Sequence, residues 1–336
     1  MIEKIKIENL TVFENLEINT NAPINVFIGE NGTGKTQLLK FINLVFNSSF
    51  RSTDNQVNYI SRIGRHGIFD MIKNQAEEHG NLAYTKLSFD KKDLFFKMEY
   101  KTDKPEPSWR LPVGLREGNL EQSNRLVFIP AKDMLTHSKG LPQLAEKYQI
   151  DFNNIYIDII NKAQIPELRE IPKLAENILP KLVEIMDGKV EVDDNRFYIK
   201  KRDGKRISFE LEAEGIKKIG LLWQLLMNGT ITEGTILLWD EPETNLNPKL
   251  TSVIAEILLE LSRNDVQIFL TTHSYFLAEY FDILENGENE TIFHSLYKTE
   301  NGVKCESSPK FSDLMNNLLI QETIDLYDKE LEKVMG

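Results

Sequence analysis

The 336-residue sequence predicts an α/β fold built around a phosphate-binding loop. Three observations predict this class. A glycine-rich loop lies between an apolar strand-like segment and a helical one. Two later apolar segments each end in acidic or polar residues, and four αβ elements follow one another closely in the second half of the chain. Ligands of open α/β sheets bind at the carboxyl ends of the strands, so we expect these polar residues to share one sheet edge.

The N-terminal segments read as strands that lead to this loop. Ile5 and Ile7 alternate with charged residues, as in an amphipathic strand rather than a signal peptide. The segment 24–28 (INVFI) predicts a buried strand, and 37–46 (QLLKFINLVF) predicts the buried helix that follows the loop. The loop itself, 29–36, reads GENGTGKT and fits G-x-x-x-x-G-K-[ST].

The loop predicts the binding of a nucleoside triphosphate. Glycines let backbone N–H groups curl around phosphates, and the helix start adds positive dipole density. Lys35 is expected to reach the β- and γ-phosphates and act in catalysis, and Thr36 to ligate Mg²⁺. The other predicted nucleotide contacts are Gly29, Asn31, Gly32, Thr33, Gly34 and Gln37. No N/T-K-x-D guanine motif is present, which favours ATP. The alternative is a chance glycine-rich turn before a helix.

The middle of the chain predicts a β ribbon and a group of helices. Residues 51–80 read as an insertion with a helix near 68–78, and 82–101 alternate as a two-stranded antiparallel ribbon. A proline- and glycine-containing connector over 102–122 precedes a buried strand at 125–129. From about Met134 to Met186 the pattern is helical and broken by prolines, which indicates a separate helical lobe.

The remaining elements are a hairpin, the αβ elements and a terminal unit. The hairpin covers 189–211 and turns at Asp203-Gly204. The αβ elements run to about residue 282, and 291–336 predict a strand pair and a helix. A basic cluster, 200–206 (KKRDGKR), lies at the hairpin tip. It is either a contact for nucleic-acid phosphates or a solvated turn.

The second chemical motif is the segment 235–241 (TILLWDE). Its apolar run is typical of a strand buried on both faces, and it ends in two carboxylates. Asp240 is expected to hold Mg²⁺, directly or through water, and Glu241 to take a proton from the attacking water.

The third motif is the segment 268–274 (IFLTTHS), again an apolar strand with a polar end. His273 is expected at the same sheet edge, where it could hydrogen-bond the γ-phosphate or the attacking water. In the alternative reading, Ser274 is a helix N-cap and His273 an incidental loop residue.

The composition of the chain restricts the partners and the cellular compartment that we expect. The net charge of −12 argues against indiscriminate nucleic-acid binding without excluding a local basic groove. A single cysteine, Cys305, rules out an internal disulfide and suits a reducing compartment. No run approaches the roughly 18 apolar residues of a membrane span, so we expect a soluble, cytoplasmic protein with no membrane partner.

GENGTGKT, LLWDEPETNLNP and LTTHS, in this order and with long intervening segments, resemble the motifs of an ABC-type ATPase head. The resemblance is to the SMC/RecF/OLD-like branch, whose small members are often described as AAA-family ATPases of prokaryotic defence loci. IKIENLTVFENLEI, RLVFIPAKDML and LEAEGIKKIGLLWQLLMNG also resemble segments of that branch. The similarity covers most of the chain.

The resemblance implies one ABC-type ATPase domain over 1–336, with a mixed sheet core, an antiparallel β subdomain and a helical lobe. Its parts are expected at 1–130 (P-loop and β subdomain), 134–188 (helical lobe), 189–290 (remaining core motifs) and 291–336 (C-terminal strands and helix). It also implies two heads packed head to tail, with ATP between the P-loop of one subunit and a signature segment of the other.

The same resemblance places two further segments. Asn245-Leu246-Asn247-Pro248 takes the D-loop position at the dimer interface. The lobe-crossing position, usually a glutamine, falls within 130–133 (PAKD), which contains none, so its role stays open.

The signature segment is the main departure from the family pattern. LEAEG, residues 211–215, keeps the glycine and the helix start, but Glu214 stands where serine is expected. A carboxylate facing phosphate would be repelled. Glu214 must therefore turn away, pair with Lys217 or Lys218, or bind something else; alternatively it only complements the helix dipole. Gly215 is expected to contact nucleotide across the dimer.

Taken together, the sequence favours a Mg²⁺-dependent ATPase that works as a homodimer or a higher even oligomer. It would be a sensor and switch for a separately encoded effector, such as a nuclease or toxin, in prokaryotic antiviral defence. The sequence after His273 shows no D-x-D cluster of a fused Toprim nuclease, so any nuclease is expected on another chain. The alternatives are a RecF-like DNA-binding ATPase in repair or recombination, and a nucleotide-locked scaffold that does not hydrolyse ATP.

Overall fold

A computed structural model gives the architecture of most of the chain. It describes residues 1–49, 82–89, 92–99, 108–109, 125–148, 154–287, 289–300 and 302–335. The helix expected near 68–78 and most of the connector over 102–122 lie outside the described residues.

The centre of the described fold is a six-stranded sheet. With strands numbered in chain order, its members are β3 (Ile24–Gly29), β7 (Leu126–Ile129), β11 (Ile236–Asp240), β12 (Gln267–Thr271), β13 (Thr291–Thr299) and β14 (Gly302–Ser308). Their spatial order is β14-β13-β3-β12-β11-β7. All neighbours pair in parallel except β13 and β14, which are antiparallel. The expected mixed sheet is therefore confirmed.

A second sheet of five strands is antiparallel throughout. It contains β1 (Ile2–Leu10), β2 (Phe13–Asn19), β4 (Leu82–Phe89), β5 (Lys92–Glu99) and β6 (Ser108–Trp109), in the order β2-β1-β4-β5-β6. The ribbon predicted over 82–101 is β4 paired with β5, with Leu87 opposite Leu94. The amide of Val303 in β14 donates to Val12 O at 3.1 Å and so links the two sheets.

The described helices cover both faces of the central sheet. They are α1 (Lys35–Ser49), α2 (Leu141–Tyr148), α3 (Asn154–Ala163), α4 (Leu179–Met186), α5 (Glu214–Met227), α6 (Thr251–Arg263), α7 (Tyr275–Leu284) and α8 (Leu318–Met335). From 214 to 284, five α and β elements alternate rather than four. None of the helices in the described part of the chain is both long and apolar enough to cross a membrane.

Two apolar layers sandwich the central sheet because successive strand residues point to opposite faces. In β11, Leu237 and Trp239 belong to one layer, and Ile236 and Leu238 to the other. The first layer includes buried residues of α4 to α7, and the second includes α1 and the antiparallel sheet. β7 and β11 read as apolar runs because both of their faces are buried, whereas β3 and β13 also contain buried polar residues such as Asn25 and His294.

The helices predicted as a separate lobe share this core. Buried side chains of α3 and α4, including Ile159, Ile160 and Leu182, belong to the same cluster as the strands of the central sheet. Pro180 lies in the first turn of α4, where the missing N–H costs no helical hydrogen bond. The prolines of this region thus divide the chain into short helices that pack on the sheet.

The hairpin predicted over 189–211 is a three-stranded meander. Its strands are β8 (Gly188–Asp193), β9 (Arg196–Lys201) and β10 (Arg206–Ser208). The turn at Asp203-Gly204 joins β9 to β10, as expected. Sequence reasoning missed the first turn, Asp194-Asn195, where both residues have positive φ values of 48° and 59°. Asp and Asn accept this backbone more readily than other non-glycine residues.

Candidate nucleotide-binding site

The predicted site residues meet at the carboxyl edge of three adjacent strands. β3 ends at the P-loop, β11 ends at Asp240, and β12 ends at Thr271. The Thr36 hydroxyl donates to both carboxylate oxygens of Asp240, at 2.9 and 3.1 Å. The loop and the second motif, 204 residues apart in sequence, are therefore in direct contact.

The P-loop requires glycine at its two ends. Gly29 and Gly34 have φ values of 142° and 88°, which residues with a side chain rarely adopt. A Cβ at Gly29 would lie 2.2 Å from Leu296 O, and one at Gly34 would lie 2.6 Å from Phe13 Cζ. Space and backbone angle both restrict these positions, so the glycines set the path of the loop.

The remaining loop positions surround this path. Asn31 and Gly32 are exposed at the tip of the loop, and Thr33 is buried and donates its hydroxyl to Glu30 O at 2.8 Å. Gln37 is partly buried in the first turn of α1. The loop positions thus differ in exposure, and their contacts with nucleotide stay a prediction.

Lys35 is folded back onto the loop. Its ammonium group donates to Gly29 O at 2.7 Å and to Glu30 O at 2.9 Å. Burial lowers the pKa of Lys35 to about 8, against the opposing effect of the nearby carboxylates Glu241 and Asp240. The lysine is therefore a buried cation whose charge is balanced by the acidic motif at the end of β11.

Asp240 is buried and anchored by two hydroxyl groups. Besides Thr36, Thr271 at the end of β12 donates to Asp240 Oδ1 at 2.6 Å. Mg²⁺ prefers oxygen ligands of this kind. The Asp240 carboxylate and the Thr36 hydroxyl, within 3.1 Å of each other, therefore fit a magnesium ion.

Glu241 has an unusual backbone conformation. Its φ is 48°, a left-handed value that a glutamate adopts only when its surroundings hold it there. Its amide donates to Thr271 O at 3.1 Å, and its carboxylate accepts from the Thr244 hydroxyl at 3.0 Å. The turn thus directs the carboxylate out of the strand, at the same edge as Asp240.

His273 lies beside this carboxylate. Its Nε2 is 3.8 Å from Glu241 Oε1, and its side chain is partly exposed. Burial and the nearby charge of Lys35 lower the pKa of His273, which favours the neutral imidazole. Ser274 caps α7 by accepting from the Leu277 amide at 3.2 Å. The N-cap of the alternative reading is therefore present, and the contact of His273 with the γ-phosphate or the attacking water stays a prediction.

The segment around Glu214 takes one of the expected alternatives. Glu214 Oε1 pairs with Lys217 Nζ at 2.7 Å, and Asp133 Oδ2 lies 4.0 Å from the same ammonium group. Lys218 instead donates to the backbone carbonyl of Glu241 at 2.8 Å. Asp133, in the segment whose role stayed open, also accepts from the Leu135 amide, at the start of a short 3₁₀ helix, at 3.0 Å.

Gly215 lies at the start of α5 and packs against the predicted D-loop of its own chain. An added Cβ would lie 2.5 Å from Asn245 O and 2.9 Å from Leu246 Cδ2. The close approach of α5 to this segment therefore requires glycine. Contact between Gly215 and nucleotide on another subunit stays a prediction.

The basic cluster at the tip of the meander is largely paired with carboxylates. Ion pairs join Lys201 to Glu212, Arg202 to Asp187, Lys205 to Asp203 and Arg206 to Asp193. This pairing is typical of a solvated turn and favours that reading over a phosphate-binding surface.

Sequence reasoning missed three residues near this edge: Thr271, Glu243 and Tyr156. It named Lys218 only as a possible partner of Glu214 and not as a donor to the Glu241 carbonyl. Thr271 holds Asp240, and Glu243 accepts from the Thr272 hydroxyl at 2.7 Å. Burial and the charge of Asp240 raise the pKa of Tyr156, which is in α3. These contacts join distant segments, and no spacing in the sequence signals them. The position of Glu243, two residues after Glu241, was the one usable clue.

The mixed sheet, the P-loop and the acidic end of β11 define the class: this is an ABC-type ATPase of the SMC/RecF branch. The chain belongs to the family described as "AAA domain, putative AbiEii toxin, Type IV TA system", which matches residues 24–279. The family resemblance expected from the three motifs is thereby confirmed.

Curated relatives match over short segments. A 58-residue segment is 47% identical to the DNA double-strand break repair Rad50 ATPase of Methanopyrus kandleri, and covers 17% of this chain and 7% of that protein. A 76-residue segment is 33% identical to the DNA replication and repair protein RecF of Listeria monocytogenes, and covers 20% of each. The matched segments thus span a minor part of both relatives.

Solved structures of SMC heads share the fold over nearly the whole chain. The SMC head domain from Thermotoga maritima gives a TM-score of 0.50 at 15% identity, covering 91% of this chain and 98% of that one. An Smc head with an extended coiled coil, bound to the C-terminal domain of ScpA derived from Pyrococcus furiosus, gives 0.55 at 13% identity and covers 100% and 99%. At such identities the likeness shows the fold alone.

Proposed function

We propose that this protein binds ATP with Mg²⁺ at the carboxyl edge of its central sheet and hydrolyses the γ-phosphate bond. One observation carries the proposal. Thr36 of the P-loop bonds Asp240 at 2.9 Å, and the next residue, Glu241, directs its carboxylate toward His273 at 3.8 Å. A phosphate-binding loop, a metal-binding pair and a candidate base thus meet at one edge.

Each side chain takes one role in this proposal. The loop amides and Lys35, once its ammonium group leaves Gly29 O and Glu30 O, bind the phosphates. Thr36 and Asp240 hold Mg²⁺, which neutralises phosphate charge when bound. Glu241 accepts a proton from the attacking water, and His273 donates a hydrogen bond beside it.

Phosphate release by the wild type and by Glu241→Gln tests the hydrolysis. The amide keeps the size of the side chain but cannot accept the proton, so we expect a fall in turnover of about 100-fold or more. Binding of labelled ATP should change little, because the P-loop is intact. Equal background release from both proteins would support the nucleotide-locked scaffold instead.

We further propose that two heads pair head to tail, as the family resemblance implies, or form a higher even oligomer. The tip of the P-loop is exposed at Asn31 and Gly32, which leaves room for a second chain. Leu211, next to the start of α5, is 81% exposed, so its side chain is available for contact with a partner. Gly215 would then contact the partner's nucleotide.

The biological role that we propose is a cytoplasmic sensor and switch for a separately encoded effector in prokaryotic antiviral defence. The toxin–antitoxin wording of the family description supports this role. A solved Smc head bound to the C-winged helix domain of ScpA supports the general idea that a head of this fold takes a protein partner. A nuclease or toxin encoded beside this chain would be the expected effector.

The second candidate is a RecF-like DNA-binding ATPase, favoured by the short matches to RecF and Rad50. A salt-titrated DNA-binding assay separates the two roles, because phosphate contacts make affinity strongly salt-dependent. Charge reversal is best made at Lys200, Arg202 and Lys205. Lys201 is unsuitable because its partly buried ion pair with Glu212 supports the fold. Loss of salt-dependent DNA binding in the variant would favour the RecF-like role.

A further inference from the structure

The position of His273 depends on a short loop. β12 ends at Thr271 and α7 begins at Tyr275, so three residues, 272–274, carry the histidine between the two elements. The imidazole is 38% exposed, and its Nε2 lies 3.8 Å from Glu241 Oε1. The position of the imidazole ring therefore depends mainly on the backbone conformation of residues 272–274.

One carboxylate oxygen anchors this loop. Glu243 Oε1 accepts from the Thr272 hydroxyl at 2.7 Å and from the His273 amide at 3.2 Å. The Thr272 hydroxyl oxygen in turn accepts from the Ser274 amide at 2.9 Å. The three residues of the loop are thus connected to a single acceptor on a different segment.

Glu243 belongs to the same turn as the candidate base. The Thr244 amide donates to Glu241 O at 3.2 Å, and the Leu246 amide to Glu243 O at 3.0 Å. Lys218 of α5 also donates to Glu241 O, at 2.8 Å. The turn that carries Glu241 is therefore fixed to α5 on one side and, through Glu243, to the histidine loop on the other.

The carboxylate of Glu243 is held inside the protein. Burial raises the pKa of Glu243, while the bonds from Thr272 and His273 act in the opposite direction. Its Oε2 atom is buried and has no hydrogen-bond partner among the described residues. Burying a carboxylate costs free energy, so an apolar side chain would be more favourable here if packing were its only role.

We propose that Glu243 is a positioning residue, which fixes His273 relative to the Glu241 carboxylate through the loop 272–274. The inference rests on the proposed hydrolysis of ATP at this site. Glu243 acts on the reaction through the histidine and does not contact the reacting atoms.

The first test compares Glu243→Ala with Glu243→Gln. Alanine removes the acceptor and should lower kcat by about 10- to 100-fold, as a small misplacement of a reacting group does. The affinity for labelled ATP should stay within about threefold, because the P-loop is untouched. Glutamine keeps an acceptor oxygen and should restore kcat to within about threefold of the wild type. Unchanged kcat in Glu243→Ala would overturn the proposal.

Glu285→Ala is the matched control. Glu285 is also a partly buried carboxylate with a raised pKa, and it accepts from a loop amide, that of Thr291, at 3.0 Å. Thr291 pairs with Ile24, at the end of β3 opposite the P-loop. Glu285→Ala should therefore leave kcat unchanged, because the loop that it releases lies at the opposite end of β3 from the site. An equal loss in both variants would indicate a general structural effect and contradict the proposal.

A double-mutant cycle tests the route through His273. If Glu243 acts through the histidine, Glu243→Ala should add little to the loss already caused by His273→Ala. Effects that multiply fully in the double variant would show that Glu243 acts independently and would overturn the proposal.

An NMR titration provides a readout that needs no hydrolysis. Full-length protein labelled at its five histidines is titrated in the wild type and in Glu243→Ala. The His273 resonances and pKa should shift in the variant, while the His137 resonances should keep their positions. A wild type without ATPase activity would defeat the proposed function alone. An unchanged His273 signal would defeat the positioning role, whatever the activity.

Discussion

Lys35 shows how a single residue prepares the site for an anion. Its ammonium group lies in the interior and is held by two carbonyl oxygens of its own loop, at 2.7 and 2.9 Å. A phosphate oxygen offers a negative charge in addition to a hydrogen bond, so it is a better partner for the ammonium group. The loop carbonyls thus keep the lysine satisfied until an anion replaces them.

The same residue predicts how nucleotide binding depends on pH. The pKa of Lys35 is lowered to about 8, so above that pH the free protein loses the charge that binds phosphate. Binding then requires uptake of a proton, and the affinity for ATP should fall by about tenfold per pH unit above pH 8. Calorimetric titration between about pH 7 and 9.5 measures this.

Lys35→Arg is the control for this prediction. A guanidinium group stays protonated throughout the range, so we expect the affinity of the variant for ATP to be the same at every pH tested. A wild-type affinity that is constant across the range would contradict the prediction.

At the scale of elements, α5 connects three parts of the site. Its first turn packs on the predicted D-loop at Gly215, its Lys217 is buried between Glu214 and Asp133, and its Lys218 bonds the turn of Glu241. Eleven of its fourteen residues are buried. A helix packed this closely can move only together with its neighbours.

A pair of substitutions at the start of α5 separates packing from charge. Glu214→Ala removes a half-exposed partner of Lys217. Asp133 stays near the Lys217 ammonium group, so the unfolding free energy should change by less than about 1 kcal/mol. Gly215→Ala forces a Cβ to within 2.5 Å of Asn245 O, and should cost about 1–3 kcal/mol. Urea unfolding gives both values.

ATP-dependent dimerisation, followed by light scattering, completes this comparison. Glu214→Ala should retain it, whereas Gly215→Ala should lose it, because the displaced helix start can no longer meet the partner's nucleotide. Complete loss of dimer and ATP binding in Glu214→Ala would contradict the view that Glu214 stays away from the phosphate.

The elements that could be predicted are those that leave a local pattern in the sequence. Strands such as β7 and β11 were found because burial on both faces makes them apolar runs, and the P-loop was found because its backbone angles demand glycine. The turn between β8 and β9 was missed because it is made by Asp194 and Asn195, which reach positive φ values without a glycine to mark the turn. The bonds of Glu243 to Thr272 and His273 join segments 29 and 30 residues apart. Such contacts depend on how the strands are ordered in the sheet, which no local pattern contains.

At the scale of the whole molecule, Leu211 tests the proposed pairing of heads. Leu211→Glu should leave the unfolding free energy within about 0.5 kcal/mol, since the side chain is exposed in the single chain. In the ATP-bound dimer the introduced charge would be buried, so the dimer should weaken by about tenfold or more. Analytical ultracentrifugation with ATP, in the Glu241→Gln background, measures this.

Val334→Glu provides the matched control. Val334 is as exposed as Leu211, at 83% against 81%, but lies in α8. Its substitution should leave the dimer intact. If both variants dimerise like the parent, Leu211 does not lie in the interface.

The hydrogen bond between Thr36 and Asp240 can form only late in the synthesis of the protein on the ribosome. The P-loop is synthesised first, and 204 further positions separate it from its carboxylate partner. At 5–20 residues per second, that interval lasts about 10–40 seconds. During this time the nascent chain carries a phosphate-binding sequence without an acidic partner. The proposed nucleotide turnover therefore requires that most of the polypeptide has left the exit tunnel.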